Sequence, residues 1–102
     1  MNSNYVKGVR FEREIIKQLS SEGYFCVRSA GSKSWCDLVA VNIEEVKFIQ
    51  AKTTKNKNVE GVLKKVVFEL ANQKIYEFLP NVVSVEVWVK GPKNKVVKEV
   101  VL

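Results

Sequence analysis

The sequence has 102 residues, 46% hydrophobic and 27% charged, so it can form one compact core and is too short for two. Seventeen Lys and Arg residues against eleven Asp and Glu residues give a formal charge of +6, which suits a polyanionic partner such as nucleic acid but also occurs on ordinary lysine-rich surfaces. Histidine is absent, which excludes histidine-based nucleophile or base chemistry and an ordinary zinc site.

No apolar run approaches the roughly 18 to 20 residues that span a bilayer. The first residues, MNSNYVKGVRF, lack the apolar stretch of a signal peptide. We therefore expect a cytoplasmic protein without membrane contact. In a reducing compartment Cys26 and Cys36 are expected to be free thiols, with Cys26 a core filler, and a disulfide between them is the alternative.

A first helix is predicted over residues 4–22, because side chains recur on one face at spacings of three and four and Gly23 is a suitable C-terminal cap. Glu12 is the unusual member of this face, since an acid on an apolar stripe costs desolvation free energy unless it is paired. The predicted stripe consists of Tyr5, Gly8, Val9, Glu12, Ile15, Ile16 and Leu19.

Three strands are predicted next. Residues 24–30 form the first, and residues 37–43 and 46–53 form a hairpin that turns at Glu44 and Glu45.

A second helix is predicted from 62 to 79, just before Pro80, and two strands follow over 82–90 and 95–102 around the turn GPKN. The intervening helix makes the third and fourth strands parallel, whereas the hairpin is antiparallel. The predicted fold is α/β, a single domain over residues 1–102 with a mixed central sheet flanked by helices, in the order αβββαββ.

Polar residues interrupt the hairpin, where Asp37 opens one strand and Gln50 and Lys52 stand two residues apart on the next. A turn centred on the two adjacent glutamates pairs Asp37 with Lys52 and Val39 with Gln50. Directly opposed residues point to the same face, so these four side chains are predicted to share one patch. The first helix must bury its stripe on this sheet, which can bring Glu12 to the same patch.

This set of residues is typical of metal-dependent phosphodiester cleavage. Mg²⁺ prefers hard oxygen ligands, and the candidates are the carboxylates of Glu12 and Asp37, the amide oxygen of Gln50 and the backbone carbonyl of Ala51. Lys52 can orient the attacking water or stabilise charge on the phosphate. Each residue also has a structural interpretation: an ion pair for Glu12, a strand boundary for Asp37, and solvated side chains for Gln50 and Lys52.

The segments KGVRFEREIIKQL, GYFCVRSAGSKSWCDLVAV and IQAKTTK resemble the archaeal Holliday junction resolvases of the PD-(D/E)xK nuclease superfamily. The resemblance implies a restriction-endonuclease-like fold. It also implies a homodimer that cuts four-way, branched DNA junctions by paired phosphodiester cleavage, with Mg²⁺ as cofactor and Mn²⁺ able to substitute. The roles that it implies are catalysis for Glu12, Asp37 and Lys52. The residues expected at the DNA are Arg13, Arg28, Ser29, Ser32, Lys33, Trp35 and Lys55.

Gln50 departs from the resolvases, which resemble this sequence elsewhere but have Glu at that position. A neutral amide still ligates Mg²⁺ but contributes no charge, so affinity for the ion should fall. Mrr-like restriction nucleases resemble this sequence in having Gln there. The sequence therefore favours a Mg²⁺-dependent junction endonuclease and leaves open three alternatives: a non-catalytic DNA-binding module, an Mrr-type duplex nuclease, and a structural or protein-interaction domain.

Two further features have open interpretations. Arg28 lies in an otherwise apolar strand, where a phosphate contact and an ion pair with Glu12 or Asp37 are equally consistent with the sequence. The second helix is apolar over a wide arc, which favours a dimer face.

Overall fold

A computed structural model describes residues 3–29, 36–72 and 83–101. The elements are α1 (Ser3–Ser21), β1 (Phe25–Arg28), β2 (Leu38–Val41), β3 (Val46–Thr53), α2 (Val59–Ala71), β4 (Val83–Lys90) and β5 (Val96–Val100). The predicted order αβββαββ is confirmed. Neither helix in the described ranges is long and apolar enough to cross a membrane.

The strands form one mixed sheet in the order β1-β2-β3-β4-β5. β3 and β4 run parallel, and the other neighbouring pairs are antiparallel, as predicted. β5 pairs with β4 of the same chain. The two helices cover opposite faces of this sheet, because each of the two buried clusters contains one helix and alternate residues of the central strands.

α1 covers the first face through the row Phe11, Ile15 and Leu19, whose spacing of four keeps them on one side of the helix. The predicted stripe is confirmed at Ile15 and Leu19. It is wrong at Tyr5, whose side chain is 62% exposed, and it omitted Phe11. Glu12 follows Phe11 directly, so it stands to the side of the buried row and is half-buried. The sheet residues in this cluster are Leu38, Ala40, Ile49 and Trp88.

α2 covers the second face, where its apolar row packs on alternate residues of β4. It begins three residues earlier than predicted, because the side-chain oxygen of Asn58 accepts a hydrogen bond from the Gly61 N–H (3.1 Å) and caps the helix. The buried residues are Val59, Leu63, Val66, Leu70, Val85, Val87 and Val89. The predicted end of this helix, with Pro80, lies outside the described residues.

The register of the β2–β3 hairpin differs from the prediction by two residues. Val39 lies opposite Phe48, not opposite Gln50. The cause is Asn42, whose side-chain oxygen accepts hydrogen bonds from the N–H groups of Glu44 and Glu45 (both 2.8 Å). This side-chain turn moves the centre of the hairpin back by one residue and therefore shifts each pair by two.

Glu86 on β4 is the buried charged residue of the described chain, with 2% of its surface exposed. Its carboxylate accepts a hydrogen bond from Trp88 Nε1 (3.0 Å) and pairs with Lys47 Nζ (2.7 Å). Burial lowers the pKa of Lys47, but the interactions with Glu86, Tyr24 and Glu45 together outweigh burial, so the net pKa is raised. This pair connects β3 and β4 on the face that α1 covers.

Candidate active site

Glu12 and Arg28 form an ion pair between α1 and β1. Arg28 Nε lies 2.6 Å from Glu12 Oε1, and the side chains are 36% and 16% exposed respectively. The hydrogen bond and charge of Glu12 raise the pKa of the Arg28 guanidinium. The structure therefore contains the ion pair that was one of the two interpretations of Arg28. Arg28 is also the partner that Glu12, an acid beside the apolar stripe, requires.

Asp37 is held between β1 and β3 by three hydrogen bonds. Its Oδ2 accepts from the Ala51 N–H, its own N–H donates to the Ile49 carbonyl, and its carbonyl accepts from the Ser29 N–H (each 2.8 Å). The Asp37 carboxylate thus takes the place of a backbone carbonyl as the acceptor for the Ala51 N–H. This hydrogen bond fixes the direction of the carboxylate at the point where β2 begins.

Burial raises the pKa of the Asp37 carboxyl, and the hydrogen bond from Ala51 opposes this shift. The charge of Glu12 raises the pKa of Asp37 further, and that of Arg28 lowers it. Both members of the Glu12–Arg28 ion pair therefore act electrostatically on Asp37 at this end of the sheet.

The predicted pairing of Asp37 with Lys52 is wrong, because Asp37 lies beside the Ile49–Ala51 segment instead. The prediction that Val39, Gln50 and Lys52 share a face survives, since a shift of two residues preserves the side of the sheet.

The face that Gln50 and Lys52 share is the one that α2 covers. Gln50 is registered with Val87 and Lys52 with Val89, and both valines pack against α2. α1 lies on the other side, together with Ala51 and Trp88. The expectation that α1 brings Glu12 to the patch of Gln50 and Lys52 is therefore not met in this structure. The charge of Glu12 acts on Asp37 at the sheet end, whereas Lys52 lines a cavity together with residues at the start of α2.

The residues predicted to contact DNA divide into three groups. Arg13 and Lys55 are exposed and make no ion pair with another described residue. Arg28 is paired with Glu12, and Ser29 is half-buried beside Asp37. Ser32, Lys33 and Trp35 lie outside the described residues. Neither Cys26 nor Cys36 forms a disulfide, as predicted, and Cys26 packs against the α1 core.

The donor set can be compared with the needs of a metal ion. In residues 3–29, 36–72 and 83–101, no three His, Cys, Asp or Glu side chains cluster as ligands. Two neighbouring carboxylates, Glu12 and Asp37, are present, and the other candidate donors, Gln50 and Ala51, are amide oxygens. An all-oxygen set with few charges fits Mg²⁺, which keeps several waters and takes one or two carboxylates from the protein. It does not suit zinc.

A feature that sequence reasoning missed is a cavity of ≈ 660 Å³ on the other flank of α1. We call it the basic cavity, defined by its five cationic lining residues Lys7, Arg10, Lys55, Lys90 and Lys93. They come from α1, from the chain after β3, and from the end of β4 and the turn that follows. In the sequence this cavity is indicated only by the spacing of Lys7 and Arg10, which places both side chains on one side of α1.

Comparison with known proteins identifies the family. A model described as archaeal Holliday junction resolvase (Hjc) matches residues 3–85. The crossover junction endodeoxyribonuclease Hjc of Methanocaldococcus jannaschii is 44% identical over 54 residues, which cover 53% of this chain and 40% of that protein. The chain thus matches less than half the length of this curated relative.

The structure of Archaeoglobus fulgidus Hjc, a Holliday junction resolvase from an archaeal hyperthermophile, superposes with a TM-score of 0.60. The match covers 93% of this chain and 73% of that chain at 24% identity, so it shows that the fold is shared. It confirms the predicted fold class. Because the family model covers most of the sequence, the chain belongs to the archaeal Holliday junction resolvase family.

Proposed function

We propose that this chain is a Mg²⁺-dependent endodeoxyribonuclease that cuts four-way DNA junctions, with Glu12, Asp37, Gln50 and Lys52 as its active-site residues. The observation that carries the proposal is the Asp37 carboxylate, which the Ala51 N–H holds in a fixed orientation and on which the charge of Glu12 acts. Family membership and the name of the curated relative support the substrate class.

Asp37, Gln50 and the carbonyl of Ala51 would hold the ion directly, and Glu12, which lies on the α1 side of the sheet, would reach it through a coordinated water. A bound Mg²⁺ supplies Lewis-acid stabilisation of the phosphate and lowers the pKa of a coordinated water, and Mn²⁺ has the same preference for oxygen ligands. The Ala51 N–H binds one oxygen of Asp37 and thereby fixes the orientation of the carboxylate. This fixed direction avoids reorganisation when the site is loaded.

Lys52 and Arg28 act on the phosphate. Lys52 is exposed, and its ammonium can stabilise negative charge that grows on the phosphate during cleavage. Arg28 neutralises Glu12 in the free protein. A guanidinium also binds phosphate with paired hydrogen bonds, so DNA can draw Arg28 from Glu12 and leave that carboxylate available to the ion.

A homodimer would let two such sites cut the symmetric strands of a junction. Large apolar side chains in the described residues support this part of the proposal. Phe25, Val27 and Phe68 are 71%, 50% and 68% exposed, and a subunit interface would bury surfaces of this kind. Sedimentation of Phe68→Glu beside the unchanged chain tests it, and a monomer mass for the unchanged chain at every concentration would contradict it.

A non-catalytic junction-binding module is the second candidate function. Two observations favour it: Gln50 stands where a carboxylate would bind the ion more strongly, and Glu12 is engaged by Arg28. This candidate predicts metal-independent junction binding without nicks.

The deciding experiment is cleavage of a labelled four-way junction with Mg²⁺, Mn²⁺ or EDTA, beside a linear duplex and the variants Lys52→Ala and Asp37→Asn. Paired symmetric nicks that need metal and disappear in both variants support the resolvase. Binding without nicks supports the module. Equal cutting of the linear duplex would support an Mrr-type duplex nuclease and contradict junction selectivity.

A further inference from the structure

α1 makes one ion pair on each of its two flanks. On the first flank Glu12 pairs with Arg28 of β1, and on the second Glu14 binds Lys90 Nζ of β4 through both oxygens (2.7 and 2.8 Å). β1 and β4 are separated by three strand spacings, which is about 14 Å at ~4.8 Å per spacing. The basic cavity lies on the second flank, so it is separate from the candidate active site.

The charge in the basic cavity is largely uncompensated. Glu14 neutralises Lys90. Lys7, Arg10, Lys55 and Lys93 make no ion pair with another described residue, and no acidic residue is among those that line the cavity. Four like charges around one cavity repel each other, and a bound anion would relieve that repulsion.

The turn that carries Lys93 is conformationally unfavourable. The Lys95 N–H donates to the Pro92 carbonyl (3.3 Å), and the two central residues, Lys93 (φ 60, ψ 31) and Asn94 (φ 61), are both left-handed. Such a turn favours Gly, Asn or Asp at both positions. Asn94 fits this preference and Lys93 does not. A strained residue that presents a charge to a cavity indicates a role for that charge.

The turn is also held against α2. A side chain at Gly91 would collide with the side chain of Val59, which is buried with 1% exposure at the start of that helix. Gly91 therefore lets the hairpin approach α2 closely. This contact fixes the position of the Lys93 backbone relative to the rest of the sheet, so Lys93 belongs to an ordered turn and not to a free loop.

We propose that the basic cavity is a subsite for a backbone phosphate of the DNA substrate, away from the bond that is cut. The proposal rests on the proposed junction-binding function and adds a second contact to it. Lys55 lies three positions after Lys52, so their Cα atoms are at most about 11 Å apart. That distance corresponds to about three nucleotide steps at 3.4 Å each along the duplex axis. The subsite thus holds DNA on the opposite flank of α1 from Arg28.

The test is the salt dependence of junction binding, measured by fluorescence anisotropy in EDTA from 50 to 300 mM KCl (roughly the range in which such slopes are resolved). The variants are Lys93→Asn and the triple change Lys7→Ala, Arg10→Ala and Lys93→Asn. Lys17→Ala is the matched control, since Lys17 is exposed on α1 and lies outside both the cavity and the active site.

The expected result is that the slope of log K against log[KCl] becomes shallower by about one in the triple variant, and that Lys17→Ala leaves it unchanged. Lys93→Asn should weaken binding while it raises Tm by a few degrees, because Asn tolerates the left-handed conformation. Opposite changes in affinity and stability cannot come from partial unfolding.

The outcomes separate the two proposals. If the unchanged chain cuts junctions and both cavity variants have the same slope as Lys17→Ala, the subsite is wrong and the proposed function stands. If the slope falls as expected but the unchanged chain makes no nicks, the subsite stands and the catalytic proposal is wrong. If the unchanged chain does not bind junctions at all, both are wrong.

Discussion

Gln50→Glu adds a carboxylate to the candidate active site, and its effect can be estimated from the sheet register. Gln50 stands on β3 between Ile49 and Ala51, whose backbone groups hydrogen-bond to Asp37 at the start of the neighbouring strand. Side chains in such positions are about 5 Å apart. Two unit charges at that distance repel by about 3 kcal/mol at an effective dielectric constant of 20 and by about 1 kcal/mol in water.

Gln50 is half-buried, so we expect the free energy of unfolding to fall by about 1–3 kcal/mol in EDTA at pH 7. For a domain of this size each kcal/mol lowers Tm by about 4–8 °C. Mg²⁺ should reverse the change, because an ion that binds the folded state at 100 times its Kd adds about 2.7 kcal/mol of stability. The extra carboxylate should also lower the Mg²⁺ concentration that half-maximal junction cleavage requires.

The assay is urea denaturation in EDTA and in Mg²⁺, with the double variant Asp37→Asn, Gln50→Glu as control. Removal of the Asp37 charge should restore most of the stability that Gln50→Glu loses in EDTA. Equal stability of Gln50→Glu and the unchanged chain in EDTA, together with equal stabilisation of both by Mg²⁺, would refute the placement of Gln50 beside Asp37 at a metal site.

Three further changes probe the same structure. Asp37→Asn should abolish cleavage and stabilise the metal-free fold at neutral pH. Burial raises the folded-state pKa of Asp37 above its ordinary value of 3.8. The stability of the unchanged chain therefore declines as the pH rises from the unfolded-state pKa to the folded-state pKa. The advantage of the variant should therefore vanish below the unfolded-state pKa, and denaturation at several pH values measures it. Glu86→Gln should lower the free energy of unfolding by about 2 kcal/mol, because it leaves the Lys47 ammonium without its buried partner; an unchanged urea midpoint would contradict this. Gly91→Ala should cost about 1–3 kcal/mol through its collision with Val59, and Val59→Ala in the same chain should recover part of that loss. Strict additivity of the two changes would show that the contact is absent.

Local periodicity was sufficient to predict most of the fold. The spacing of apolar residues predicts α1, and the alternation of valines predicts the face of β4 that packs on α2. A helix between two strands predicts that they run parallel. The face shared by Gln50 and Lys52 could likewise be read from the sequence, since a strand has a period of two whatever its partner.

The details of the site depend on contacts that no local pattern encodes. The Asn42 side chain decides where the hairpin turns, and this single turn moves Asp37 from Lys52 to the Ile49–Ala51 segment. α1 covers its face of the sheet through the packing of Phe11, Ile15 and Leu19, and this packing determines which residues Glu12 can approach.

The basic cavity likewise depends on contacts between distant segments and not on a local sequence pattern. Its cationic residues lie on α1, after β3 and in the turn after β4, and in sequence they are unremarkable lysines and an arginine. Their proximity results from the packing of α1 on the sheet and from the close approach of Gly91 to Val59. The sequence by itself determined which side chains share a face of each helix or strand, because that depends on backbone geometry within one element. Only the tertiary structure decided which faces meet, because that depends on hydrogen bonds and packing between segments far apart in the chain.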